Sequence, residues 1–332
     1  MSESRPIRIV EPYAHTRSVK IPSSFEGVPL IDFLGERYPY RSRAYWAERV
    51  KAGDVRIEGT ELSHPEDVLK KASAVTFFTP RVVEPAVPDE VRIVGEGEGW
   101  VAVEKPAPMP VHAGGRYFKN TCLSITEELL GQKIYPVHRL DAVTSGLVVF
   151  ATDERMASIM TQALREGHVE KEYKAHVFGR VELDEQLIDQ PIRRKAGFVF
   201  ESVPVEGLAH AQDLTQEQGL AQVAAVSEPS TESPESKGRG SLKQAQTVIR
   251  VLERGKASSL VQCIPLTGRT HQIRLHCQAM GHPILEDPIY GPNGDASGKT
   301  LQNGAIRLQH ASMHWPALGI SLQLDLPSGW NV

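Results

Sequence analysis

The stretch His138-Arg139-Leu140-Asp141, followed by Thr144-Ser145-Gly146 and the apolar run Leu147-Val148-Val149-Phe150-Ala151, decides the reading of this chain. It sets one carboxylate, Asp141, beside an arginine in a loop that feeds directly into a buried strand. A carboxylate held there by a cation can act as a nucleophile or as an acid/base group. The same pair would also pass as a structural salt bridge. A second run supplies a partner: Thr267-Gly268-Arg269-Thr270-His271-Gln272-Ile273-Arg274-Leu275-His276. Ile273, Cys277 and Met280 recur at helical spacing, Thr270 is the expected N-cap and Gly281 the stop. Arg274 borders that apolar face, where a half-buried guanidinium can meet a carboxylate and keep it ionised.

Outward from these runs the chain alternates short strands with a few helices. Val91–Val94 and Trp100–Glu104 read as strands around a glycine-rich turn. Asp153 caps a helix that ends at Gly167, and Tyr173, Ala175 and Val177 alternate with polar residues as in a half-buried strand. Val248–Val251, Ser259–Ile264 and Ile320–Leu326 add further strands. Strands outnumber helices, which predicts an α+β fold with a mixed, mostly antiparallel central sheet. Residues 1–24 show no clear period and are expected to be an extension. Residues 25–84 carry two helices and short strands, a small α+β module with Arg41, Arg43, Arg49, Lys51 and Arg56 lying mostly on or after the second helix. Pro85 to Pro88 reads as a linker, and 89–332 as the larger domain. Within it, 207–242 is rich in Gln, Ala, Ser, Glu and Pro and is expected to be a disordered or loosely ordered insertion.

Composition limits the function classes. The chain has 332 residues, of which 40% are hydrophobic, enough for one large core and a small accessory domain. No apolar run is long enough to span a membrane. The start, Met-Ser-Glu-Ser-Arg-Pro, lacks a secretory core, and three scattered cysteines fit a reducing compartment; a cytoplasmic location is expected. The net charge of -4 resides wholly in the segment from Glu206 to Ser241, so the remainder is neutral and its bases cluster near the two motifs. Local potential, not the total, steers a polyanion.

Other chemistries fit poorly. His271, His276, Cys277 and His282 match no common zinc spacing. Ser145, His138 and Asp141 are too crowded along one loop for a hydrolase relay, and no nucleophile elbow is present. Gly95 to Gly99 matches neither a dinucleotide fingerprint nor a P-loop. No metal and no nucleotide cofactor are therefore expected. Tyr173, taken alone, reads as a core aromatic with a wet hydroxyl.

Taken together, the motifs resemble the RluA family of pseudouridine synthases. The likeness rests on Glu104-Lys105-Pro106 with Pro110-Val111-His112, the block at 138–147, Lys171-Glu172-Tyr173, the block at 267–276, and Gly281-His282-Pro283-Ile284 through Asp287-Pro288-Ile289-Tyr290-Gly291. Glu286 stands where the family usually has glycine or asparagine. The resemblance implies a pseudouridine synthase fold, isomerisation of uridine in RNA and no cofactor, with the protein expected to act as a monomer. It implies Asp141 as the catalytic carboxylate, Arg274 as its basic partner and Tyr173 stacking on the uracil and assisting removal of the C5 proton. Arg139 would fill the space vacated by a flipped base, Leu275 would touch the ring, and Lys105, Arg116 and Arg269 would meet phosphates. The small module resembles an S4-like RNA-binding domain. Pro110 to Tyr117 with Asn120-Thr121 is similar to a subgroup acting on tRNA at anticodon-loop position 32. Large-subunit ribosomal RNA, or a catalytically silent RNA-binding role, are the alternatives.

Overall fold

The computed structural model describes residues 7–39, 41–204, 241–295, 304–330 and 332. The expected insertion at 207–242 lies, apart from its last two residues, outside them. The chain divides into two compact units, residues 10–84 and residues 1–9 with 85–332. Strand β1 (Ile7–Arg8) pairs antiparallel with a later strand, Val87–Pro88, so the chain leaves the larger unit and returns to it through neighbouring strands. Arg8 donates to Glu128 at 2.6 and 2.8 Å.

The smaller unit contains β2 (Tyr13–Lys20), α1 (Leu30–Arg37), α2 (Arg43–Lys51), β3 (Val55–Ile57) and β4 (Ala74–Val82), with sheet order β2-β4-β3. Residues 13–20 are thus a strand rather than part of an extension. Their alternation was hidden because β2 covers the sheet edge and leaves most side chains open to solvent. Leu30, Phe33 and Leu34 of α1 and Trp46 and Val50 of α2 bury against Phe77. Ser42 Oγ accepts from Tyr45 N at 3.1 Å and caps the N-terminus of α2.

The larger unit has β5 (Val87–Pro88), β6 (Arg92–Gly97), β7 (Trp100–Lys105), α3 (Cys122–Leu130), β8 (Tyr135–Pro136), β9 (Ser145–Ala151) and α4 (Glu154–Arg165). It continues with β10 (Glu170–Phe178), β11 (Glu185–Asp189), β12 (Ile192–Ala196), β13 (Val199–Ser202), β14 (Gln246–Arg254), β15 (Ser258–Pro265), α5 (Gln272–Ala279), β16 (Leu308–Trp315) and β17 (Ile320–Gln323). Ten strands form one sheet in the order β11-β14-β15-β10-β16-β9-β7-β6, with β17 beside β16 and β8 beside β9. Among the described residues every pairing in it is antiparallel except β16 with β9. This is the mixed, mostly antiparallel α+β fold that the strand pattern predicts.

Strand β9 reads as a continuous apolar run because both its faces are covered. Leu147, Val149 and Ala151 pack with Met160 of α4, while Val148 and Phe150 pack with Cys122 and Ile125 of α3. Gly146 at its start has φ +111°, and a Cβ there would sit 2.3 Å from the carbonyl oxygen of His310. Only glycine lets β16 approach β9 at this point. His310 pairs in register with both Gly146 and Tyr173, so β16 brings the loop before β9 and the middle of β10 to one place in the sheet.

Candidate active site

Helix α5 is enclosed: residues Gln272 to Cys277 are all buried. Ile273 and Cys277 enter the core with Ala175, Val177, Val261 and Cys263. Thr270 is not its N-cap. His271 holds that position in a left-handed conformation, φ 58° and ψ 18°, with no side-chain capping bond. The preceding turn is instead fixed by Gln272. Its Oε1 accepts from Thr267 Oγ1 at 2.7 Å and Arg269 N at 3.0 Å, and its Nε2 donates to Gln246 O and Thr247 Oγ1 at 2.8 and 3.0 Å. Every polar atom of that amide is satisfied, which makes the loop stiff.

Arg274, 1% exposed, lies between two carboxylates. Its Nε and Nη2 donate to the two oxygens of Asp287 at 2.7 and 2.8 Å, a bidentate pair with both side chains out of solvent. Its Nη1 donates to Asp141 Oδ2 at 3.3 Å. Asp287 Oδ1 also accepts from the backbone N–H of Ile289 and Tyr290, each at 3.0 Å. Burial by itself would raise the Asp287 pKa, but the hydrogen bonds and charge of Arg274 outweigh it and hold the carboxyl below its ordinary value. Asp287 thus fixes the guanidinium, and the guanidinium presents its remaining edge to Asp141. Asp287 sits in a quoted motif whose role was not read from sequence; a carboxylate in the turn after α5 is the signal that was there.

His271 is the second group against Asp141, its Nε2 being 3.7 Å from Oδ2. Its Nδ1 is 2.8 Å from the hydroxyl of Tyr290, which itself accepts from Phe200 N at 3.0 Å. Burial lowers the His271 pKa, Asp141 opposes this, and the charges of Arg274 and Arg139 add to the lowering.

Tyr173 stacks on His310, with ring centroids 4.5 Å apart and planes 16° apart. His310 Nδ1 donates to Leu147 O at 2.7 Å, and burial brings its pKa down to about 4, so it is a neutral ring. Burial, and then the charge of Asp141, raise the phenol pKa of Tyr173. Tyr173 therefore carries its proton at neutral pH, which speaks against a standing phenolate as base for C5.

The remaining expected residues divide. Arg139 and Arg116 are exposed. Arg269 is exposed, with Nε donating to Gln244 O at 2.9 Å. Leu275 is 1% exposed and packs with Ile192, Val199, Ile289 and Tyr290, so it has no surface to offer a base. Lys105 is wholly buried and donates to the carbonyls of Met109, Pro106 and Ala142 at 2.8, 3.0 and 3.3 Å. It cannot meet a phosphate; it ties the end of β7 to the residue after Asp141. Burial pulls its pKa down to about 8, against the raising charges of Cys122 and Asp141. Exchanging Lys105→Met removes an expensive buried charge but leaves carbonyls without a donor, at about 1–3 kcal/mol for each such group. The expected result is a lower thermal midpoint with unchanged RNA affinity; a phosphate-contacting lysine would show the reverse. Glu286 has φ 63°, which accounts for glycine or asparagine being usual there, and it accepts from Arg307 Nε at 3.0 Å.

Among the described residues no group of three or more His, Cys, Asp or Glu side chains is arranged to hold a metal ion, and no helix is long and apolar enough to cross a membrane.

The family model described as RNA pseudouridylate synthase matches residues 99–279, a span that holds Asp141, Tyr173, His271 and Arg274. The chain belongs to the RNA pseudouridylate synthase family. It is 33% identical to RNA pseudouridine synthase 7 of Arabidopsis thaliana over 285 residues, covering 85% of this chain and 65% of that protein. It is 29% identical to the mitochondrial tRNA pseudouridine(32) synthase of Saccharomyces cerevisiae, covering 90% of this chain and 58% of that one. The chain thus spans less than two thirds of the length of these relatives. Among solved structures it is similar to human RNA Pseudouridylate Synthase Domain Containing 4, with TM-score 0.54, 23% identity, and coverage of 72% of this chain and 90% of that chain. That likeness establishes the shared fold.

Proposed function

We propose that this protein isomerises uridine to pseudouridine in RNA, with Asp141 as its catalytic carboxylate. The observation that carries the reading is the Asp141 carboxylate itself: half-buried at the head of β9, engaged at Oδ2 by Arg274 and bordered there by His271, with no hydrogen bond at Oδ1 among the described residues. In the reaction the C1′–N1 bond breaks, the uracil turns, and C5 bonds to C1′; C5 loses its proton and the freed N1 gains one. A charged oxygen facing the ribose starts either route, by adding to C1′ or by taking the C2′ proton. Arg274 donates to Oδ2 and sets its positive charge beside the carboxylate. Tyr173, braced by His310, supplies an aromatic surface that holds a detached uracil without fixing its orientation.

A target uridine has to leave its stack to reach Asp141, and Arg139, exposed two residues before it, fills the gap in this reading. Arg116 and Arg269 are positioned on exposed loops to meet phosphates. The smaller unit serves as an S4-like RNA-binding domain. Its exposed arginines lie over aromatic rings, Arg41 at 4.8 Å from the Tyr45 ring and Arg17 at 4.7 Å from that of Phe77, a combination that suits single-stranded and looped RNA.

The preferred target is the anticodon loop of tRNA at position 32. Support comes from Pro110 to Tyr117 and from the yeast relative named for that position. The test is in vitro modification of matched tRNA and large-subunit ribosomal RNA transcripts, with pseudouridine mapped by carbodiimide primer extension. A stop at tRNA position 32 is expected. Stops confined to the ribosomal transcript would overturn the target, and none in either RNA would overturn the activity.

A further inference from the structure

We infer that His271 is a positioning residue for Asp141, an N–H donor held beside Oδ2 that leaves Oδ1 to meet the ribose. This rests on the reading of Asp141 as the catalytic carboxylate. The backbone supplies the first observation. His271 adopts φ 58° in the turn entering α5, a region uncommon for residues other than glycine, although Asn, Asp and His enter it more readily than the rest. A strained backbone at the border of a site points to a side chain that has to be in one place.

The proton inventory supplies the second. The Tyr290 hydroxyl accepts from Phe200 N and lies 2.8 Å from His271 Nδ1. With its acceptor side engaged, the phenol gives its one proton to Nδ1. The ring proton then resides on Nε2, which is the atom 3.7 Å from Asp141 Oδ2. Burial keeps the imidazole neutral. The rings of Phe200 and Tyr290 meet it edge-on, at 5.3 and 5.5 Å, and hold its plane.

The third observation is where the donors point. Arg274 Nη1 and His271 Nε2 approach the same oxygen. The Arg274 hydrogen bond and the nearby imidazole N–H both favour negative charge on Oδ2, and no hydrogen bond is made to Oδ1 among the described residues. At 3.7 Å the imidazole N–H stands just beyond hydrogen-bonding distance of Oδ2, and contacts of this kind often tighten when substrate is bound. His276, by contrast, is tied to Thr247 Oγ1 and Gln190 O and reaches no carboxylate of the site, so it is only a packed polar residue.

The test separates backbone from side chain. His271→Gly suits the left-handed turn and removes the donor; His271→Asn suits the turn and keeps an N–H. Turnover is read by tritium release from RNA carrying 5-tritiated uridine, together with RNA affinity and thermal midpoint. The glycine variant is expected to fold with a midpoint lowered by loss of the buried imidazole, with KM unchanged and kcat lowered about 10²-fold, the loss typical of a misplaced reacting group. The asparagine variant should recover part of that loss, and Tyr290→Phe should lower kcat without changing KM. A glycine variant at the parental kcat, or glycine and asparagine variants with equal kcat, would overturn the inference. Failure of the underlying reading shows separately, as parental turnover in Asp141→Asn.

Discussion

Replacing Asp287 by asparagine is expected to lower stability by about 3–5 kcal/mol, because it leaves the buried guanidinium of Arg274 short of its main counter-charge. In a domain of this size that is a fall in thermal midpoint of roughly 6–20 °C. The amide can still accept from one guanidinium nitrogen, but the bidentate geometry is lost. Arg274 then turns toward Asp141, so activity should fall as well, even at temperatures where the variant is folded. The acid side follows from the same pair. The Asp287 pKa is lowered in the folded state, so its contribution is present above the ordinary carboxylate pKa and is lost as pH falls through the folded value. The asparagine variant should lack that part of the acid transition.

A double exchange, Arg274→Met with Asp287→Leu, separates the two roles. Swapping a buried ion pair for apolar groups is often neutral or stabilising, but the N–H groups of Ile289 and Tyr290 lose their Oδ1 acceptor, at about 1–3 kcal/mol for each, so the thermal midpoint should recover only in part. Turnover should not. Recovery of both would show that Arg274 does no more than fill space. Differential calorimetry and tritium release on the same preparations give both answers.

Much of the sheet and the central pair was legible in the sequence, for definable reasons. Strand β9 announces itself because a run buried on both faces has to be apolar throughout. Asp141 and Arg274 meet as the motifs suggest, at 3.3 Å. What escaped was the environment of charged and apolar groups whose side chains do not declare their burial. Lys105 reads as a surface cation, yet its three donors end on carbonyls, a pattern set by the chain's turns and not by any local period. Leu275 reads as a contact for substrate, but the hairpin of β12 and β13 covers it. His271 reads as one more satisfied histidine; its left-handed backbone and its distance from Asp141 appear only in three dimensions. Strand β2 was missed because an edge strand with solvated side chains carries little hydrophobic alternation.

The most direct measurement is turnover by Asp141→Asn. The exchange is nearly isosteric, Arg274 keeps its bidentate bond to Asp287, and the half-exposed position tolerates an amide, so folding and RNA affinity should be preserved. What disappears is the negative oxygen that faces the sugar. An amide neither adds to C1′ nor takes the C2′ proton at neutral pH, so the rate should fall by at least about 10³-fold, equivalent to roughly 4 kcal/mol of transition-state stabilisation. Tritium release from 5-tritiated uridine RNA under single-turnover conditions reads that step without interference from product release. The account predicts RNA bound at the parental affinity and no release above background; release at the parental rate would contradict it.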